Sequence, residues 1–93
     1  MVVGVLTLEL FISEANSLKG KRKILKSLLE RLKHRFNISV AEVGRQDSWK
    51  HSTIGISAVS GETAHMDSIL STVVNFIENH GGVEIIEIQK ELL

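Results

Sequence analysis

A chain of 93 residues with 43% apolar and 24% charged residues is long enough for one domain and too short for two, and its composition is globular. It contains no cysteine, which excludes disulfides, thiolate metal ligands and thiol catalysis. The net charge of zero conceals a division: eight basic residues and one acid lie between Ser17 and Arg35, while three basic and ten acidic residues lie elsewhere, so the segment carries +7 and the remainder −7.

Residues 2–12 alternate, with Gly4, Leu6, Leu8, Leu10 and Ile12 on one side and Val3, Val5, Thr7, Glu9 and Phe11 on the other, which predicts a first strand. After the polar break Glu14-Ala-Asn, Ser17 can cap a helix by accepting a hydrogen bond from a free amide of the first turn. That helix runs to about Arg35. Leu18, Leu25, Leu28, Leu29, Leu32 and Phe36 form its apolar stripe, and Asn37 can end it. Residues 38–43 read as a second strand, 44–52 as a polar loop and 53–60 as a third strand. Ser60-Gly-Glu-Thr supplies a cap for a second helix to about His80, with Met66, Ile69, Leu70, Val73 and Ile77 facing inward. Asn79-His-Gly-Gly stops it, and 83–90 is a last strand.

The order βαββαβ over a single domain, 1–93, predicts the α+β ferredoxin-like arrangement: a four-stranded antiparallel sheet with both helices on one face. The right-handed crossover rule puts strands 1 and 3 at the centre. The face without helices then carries Val3, Val5, Thr7, Glu9 and Phe11 with Thr53, Gly55, Ser57 and Val59, a surface less polar than a solvated sheet face normally is. Self-association through it, giving a homo-oligomer, is the expectation; a monomer with a bland surface is the alternative. No apolar run approaches the ~20 residues of a membrane span. The first residues read as a strand rather than a signal peptide, so no membrane contact and a cytoplasmic location are expected.

Lys19, Lys21, Arg22 and Lys23 crowd the start of the first helix, where the macrodipole is positive and disfavours cations by ~0.3–1 kcal/mol each. Lys33 and Arg35 sit at the favourable end. Cations and free amides together attract phosphate or carboxylate. Lys19, Lys21, Arg22, Lys23 and Lys26 are therefore the candidate anion- or nucleic-acid-binding residues, against the plain alternative of a solvated charged face. A second candidate site is the loop, where Asp47, Trp49, Lys50 and His51 could form a binding or catalytic cluster; alternatively Trp49 folds down as a lid over the edge of the core.

The histidines His34, His51, His65 and His80 are scattered, so no metal site and no cofactor are expected, and no catalytic triad is recognisable. Strand 3 lacks the base-stacking aromatics of an RNA recognition motif, and no Lys or Arg occurs between Lys50 and Lys90. A KH-type Gly-x-x-Gly loop is absent too. Any RNA contact is therefore expected on the helix side. The acylphosphatase variant of the topology needs a Gly-rich phosphate loop after strand 1; Arg22 lies near that place, but the glycines do not.

Ser17-Leu-Lys-Gly-Lys-Arg-Lys, Phe36-Asn-Ile-Ser-Val-Ala-Glu-Val, Asp47-Ser-Trp-Lys and Phe76-Ile-Glu-Asn resemble the bacterial YlxP-like family of unknown function, over essentially the whole chain. The resemblance implies a ferredoxin-like domain without an established activity. The genes of such proteins often lie near those for translation initiation and ribosome maturation factors, which implies a ribosome or RNA as partner. At Gly20 the family usually has Asp or Glu, which would complete a capping box with Ser17, so the helix start is expected to be weaker here.

Three readings follow from the sequence. The leading one is a binding module without catalysis that contacts RNA or the ribosome through the basic helix. The second is a homo-oligomeric interaction or structural module without nucleic acid. The third is a small enzyme or ligand sensor using the 44–52 loop.

Overall fold

In a computed structural model describing residues 1–93, β1 (Val2–Phe11), α1 (Leu18–Arg35), β2 (Ser39–Gly44), β3 (His51–Ser60), α2 (Thr63–Glu78) and β4 (Glu84–Leu92) follow in the expected order. The strands form one antiparallel sheet in the order β2-β3-β1-β4, with β1 and β3 at the centre. Both helices lie on one face, α1 against β2 and α2 against β1 and β3.

The alternation of β1 produces this layering. Leu6, Leu8 and Leu10 are buried beneath the helices, and Val3, Val5, Thr7, Glu9 and Phe11 are half-buried on the other side. β3 repeats the pattern with Ile54, Ile56 and Ala58 inward. From the helices, Leu25, Leu28 and Leu32 of α1 and Met66, Leu70, Val73 and Ile77 of α2 close the core. Burying each such side chain stabilises the fold by ~1.5–3 kcal/mol. Gly4 is where α2 comes nearest the sheet: a β-carbon there would overlap Sδ and Cγ of Met66.

Several boundaries differ from the sequence reading. β1 ends at Phe11, one residue early. β3 begins at His51, so the β2–β3 connection is only residues 45–50; pairing with Leu10 and Phe11 of β1 carries β3 into Ser52 and His51, residues whose polarity suggests a loop. β4 extends to Leu92 because it pairs with β1 as far as Gly4. The C-cap of α1 is Phe36 rather than Asn37, its amide still bonded to Leu32 O. At α2 the N-cap is Glu62 without a side-chain cap bond; Ser60 Oγ instead accepts from the Glu62 amide at 3.2 Å, one step outside the helix. After α2, Gly81 and Gly82 adopt φ of 84° and 79°, a left-handed region open to glycine.

β4 is the exposed edge. Its partners across β1 place Glu84, Glu87, Gln89 and Glu91 on the helix-free face. Glu87 stands directly opposite Glu9, a like-charge pair that a bare sheet would disfavour. Glu9 is compensated from the other side, accepting from Thr53 Oγ1 at 2.8 Å and lying 3.5 Å from Arg45 Nε.

Candidate functional site

The first turn of α1 is set by Ser17, whose Oγ accepts from the Gly20 amide at 3.0 Å. The helix therefore starts where the sequence placed its cap, without an acid at position 20. The glycine keeps that turn open, since a β-carbon there would sit 3.3 Å from Ser17 Oγ. The first turn holds no acidic residue, and the last holds Lys33, His34 and Arg35.

Lys21, one of the five cations that the sequence nominates for anion binding, does not reach the surface. Its side chain is fully buried. The ammonium donates to Arg45 O at 2.8 Å and His51 O at 2.9 Å, with Gln46 O at 3.4 Å, and lies 3.2 Å from the Glu42 carboxylate. The same carboxylate accepts from the buried Ser52 Oγ at 2.7 Å. One charge thus satisfies carbonyls at both ends of the β2–β3 connection. A desolvated cation is tolerated only with such partners. The arrangement also supports Arg45, which has φ of 55°, costly for a residue with a β-carbon. Lys50 makes a second tie, donating to Ser13 O at 2.7 Å and Ala15 O at 2.9 Å, and so links this connection to the segment before α1.

With Lys21 turned inward, the other four predicted cations remain on the surface. Lys19, Arg22, Lys23 and Lys26 are all exposed, and none has an ion-pair partner. Arg31, Lys33, His34 and Arg35 continue the exposed surface along the helix, interrupted by one acid, Glu30. Lys23, Lys26, Arg31, His34 and Arg35 border a shallow cleft that Phe76 of α2 completes. There the Arg35 guanidinium lies 5.6 Å from the Phe76 ring centre and 5.9 Å from that of Phe36. In the sequence Arg35 reads as a favourable helix-end charge; its contact with Phe76 depends on a distant residue and leaves no local signal.

The loop residues are not assembled into a cluster. Asp47 is exposed and makes no hydrogen bond or ion pair. Trp49 is 56% exposed, so it is not a lid over the core. His51 belongs to β3, and its ring lies 5.3 Å from that of Phe11, tilted by 47°, on the helix-free face. No hydrogen bond, ion pair or ring contact joins the three. The structure also contains no group of three or more His, Asp or Glu side chains with metal-binding geometry. No helix is long and apolar enough to cross a membrane.

A family model described as "Protein of unknown function (DUF503)" matches residues 3–90. The chain is 37% identical over 83 residues to the uncharacterized protein YlxP of Bacillus subtilis (strain 168), an alignment covering 89% of this chain and 90% of that protein. Among solved structures, the de novo designed protein Foldit4 aligns with a TM-score of 0.56 at 15% identity, covering 98% of this chain and 97% of the designed one. LFR1 1, a de novo design with a ferredoxin fold, aligns with a TM-score of 0.52 at 15% identity, covering 99% and 84% respectively. These structural likenesses speak to the fold alone, and they agree with the ferredoxin-like arrangement of sheet and helices.

Proposed function

We propose that this chain, which belongs to the DUF503 family of proteins of unknown function and is a relative of YlxP, is a binding module without catalytic activity that holds the phosphate backbone of structured RNA on α1. The observation that supports this most directly is the unpaired surface charge: Lys19, Arg22, Lys23 and Lys26 are exposed, without a carboxylate in salt-bridge reach, on the N-terminal half of α1, whose first turn is itself positive and holds no acid. Internal electrostatics gives no reason for these four charges, whereas Lys21 is accounted for by its buried partners. An external anion would relieve the first group and leave the second untouched. The first RNA to test is ribosomal, in a cytoplasmic setting.

Four phosphate contacts give a log–log salt slope of roughly −3 to −3.6. Filter binding to ribosomal subunits and to an RNA hairpin across a salt series measures it. Replacing Lys19, Arg22, Lys23 and Lys26 together by Ala should abolish salt-dependent binding while the far-ultraviolet circular dichroism is retained. Binding that is absent, insensitive to salt, or unchanged in that variant rejects the reading.

A second reading, a homo-oligomeric module, is favoured by a different surface. The helix-free face is half-buried, apolar or small-residued across β1 and β3, and it lies on the opposite side of the sheet from α1. A second copy there would leave the basic helix free, so the two readings are compatible.

A further inference from the structure

We infer that a second copy of this chain packs on the helix-free face about a two-fold axis running parallel to the strands. This rests on reading that face as a self-association surface and adds its geometry. Across β2, β3 and β1 the face is nearly uncharged. Val3, Val5 and Thr7 lie beside Gly55, Ser57 and Ala41, and the absent side chain of Gly55 leaves room for Val43 to lie over that position. The one acid that these three strands place on this face, Glu9, is already held by Thr53 and Arg45, so covering it strands no bare charge.

β4 differs, presenting Glu84, Glu87 and Glu91 along one edge of the same face. This asymmetry selects the axis. A two-fold axis across the strands would lay β4 on β4 and bring six carboxylates together. An axis along the strands lays β4 on β2 of the second copy, which offers Ser39, Ala41 and Val43 with Arg45 just beyond its end. Because rotation about that axis preserves height along the strands, the register can be followed. Glu87, Glu9, Thr53 and Gly44 share one row, so Arg45 of one copy comes to the level of Glu84 and Glu87 of the other, twice per dimer. Arg45 is 56% exposed and holds Glu9 only through Nε, leaving its remaining nitrogens for that contact.

The area is adequate. Four strands at ~4.8 Å spacing, with nine residues at ~3.3 Å rise, give a face of roughly 570 Å² in projection. Two such faces amount to about 1,140 Å², above the roughly 1,000 Å² that a biological interface should clear and just under the ~1,200–2,000 Å² of standard complexes.

The test uses rows and the absence of native cysteine. Ala41, Gly55, Thr7 and Gln89 form one row, and its two edge residues are exposed. Sedimentation equilibrium of the unmodified chain at about 100 µM, some hundredfold above a micromolar Kd, should give the dimer mass. Ala41→Cys and Gln89→Cys variants, treated with a bismaleimide reaching about 10 Å, the spacing of packed sheets, should cross-link when mixed. Neither should cross-link strongly alone. A monomer mass overturns self-association itself. A dimer in which Gln89→Cys cross-links alone keeps self-association and overturns the axis, and a dimer with no cross-link in any combination overturns this face as the interface.

Discussion

Lys21 and its neighbours in sequence show how different the fates of adjacent lysines can be. Replacing Lys21 by Ala would leave Glu42 without its cation and two or three carbonyls without a donor, inside a cavity left by the aliphatic stem. Breaking a buried pair in this way costs about 3–5 kcal/mol. For a domain of this size that lowers the melting temperature by about 12 °C or more, measurable by thermal and urea unfolding. Lys21→Met restores the stem but not the donors and should recover only part of the loss; full recovery would show that the polar head contributes nothing. Within a run of cations, Lys21 reads as one more solvent-facing charge. Yet Lys21, Leu25, Leu28 and Leu32 fall at i, i+4, i+7 and i+11, the spacing of a buried stripe. The sequence stripe passed from Leu18 to Leu25 and skipped the turn Lys21 occupies. What sequence cannot supply is the carbonyl cage, because it is made by backbone 24 to 30 residues away.

At the level of elements, α1 combines a well-made cap with a poorly matched charge pattern. Ser17 caps it, but its first turn holds no acid. Exchanging Lys19 and Lys23 for Glu should therefore move two properties in opposite directions. Stability should rise by roughly 0.3–1 kcal/mol at position 19 through the helix dipole and by less at position 23, which lies in the second turn, read from urea midpoints. RNA affinity should fall at least as far as in the Ala variant. A fall in both would mean that these lysines support the fold rather than a partner. The elements themselves were legible because their periodicities are strong: the alternation of β1 and the stripe of α2 survive unchanged in the structure. The ends of β3 and β4 were not, since pairing with β1 carries both strands into residues of polar character.

For the whole molecule, the sorting of charge along the chain becomes sorting in space. α1 lies over β2, whereas the acids of β4 line the opposite edge, roughly 15–20 Å away by three strand spacings and a helix layer. Glu84, Glu87 and Glu91 should then act on an approaching RNA only through the long-range field. Converting all three to Gln should tighten binding at about 0.01 M salt, where the screening length is ~30 Å, and leave it unchanged at 0.15 M, where it is ~8 Å. Filter binding at nanomolar protein, below self-association, makes the measurement, and an equal effect at both salts would place these residues in direct contact. This arrangement was half legible: the +7 segment was visible in the sequence, but its place opposite the acidic strand depends on the strand order.

The caged ammonium of Lys21 also fixes rotation. A helix lying on a sheet can slide or roll by a turn if its apolar stripe is uniform, and leucines alone distinguish such registers weakly. Sliding α1 by one turn would bring Ser17 or Leu25 to the carbonyls of Arg45 and His51, and neither side chain can replace a three-proton donor. The one lysine turned inward therefore works as a key, and it determines which side of the helix the other cations present to the outside.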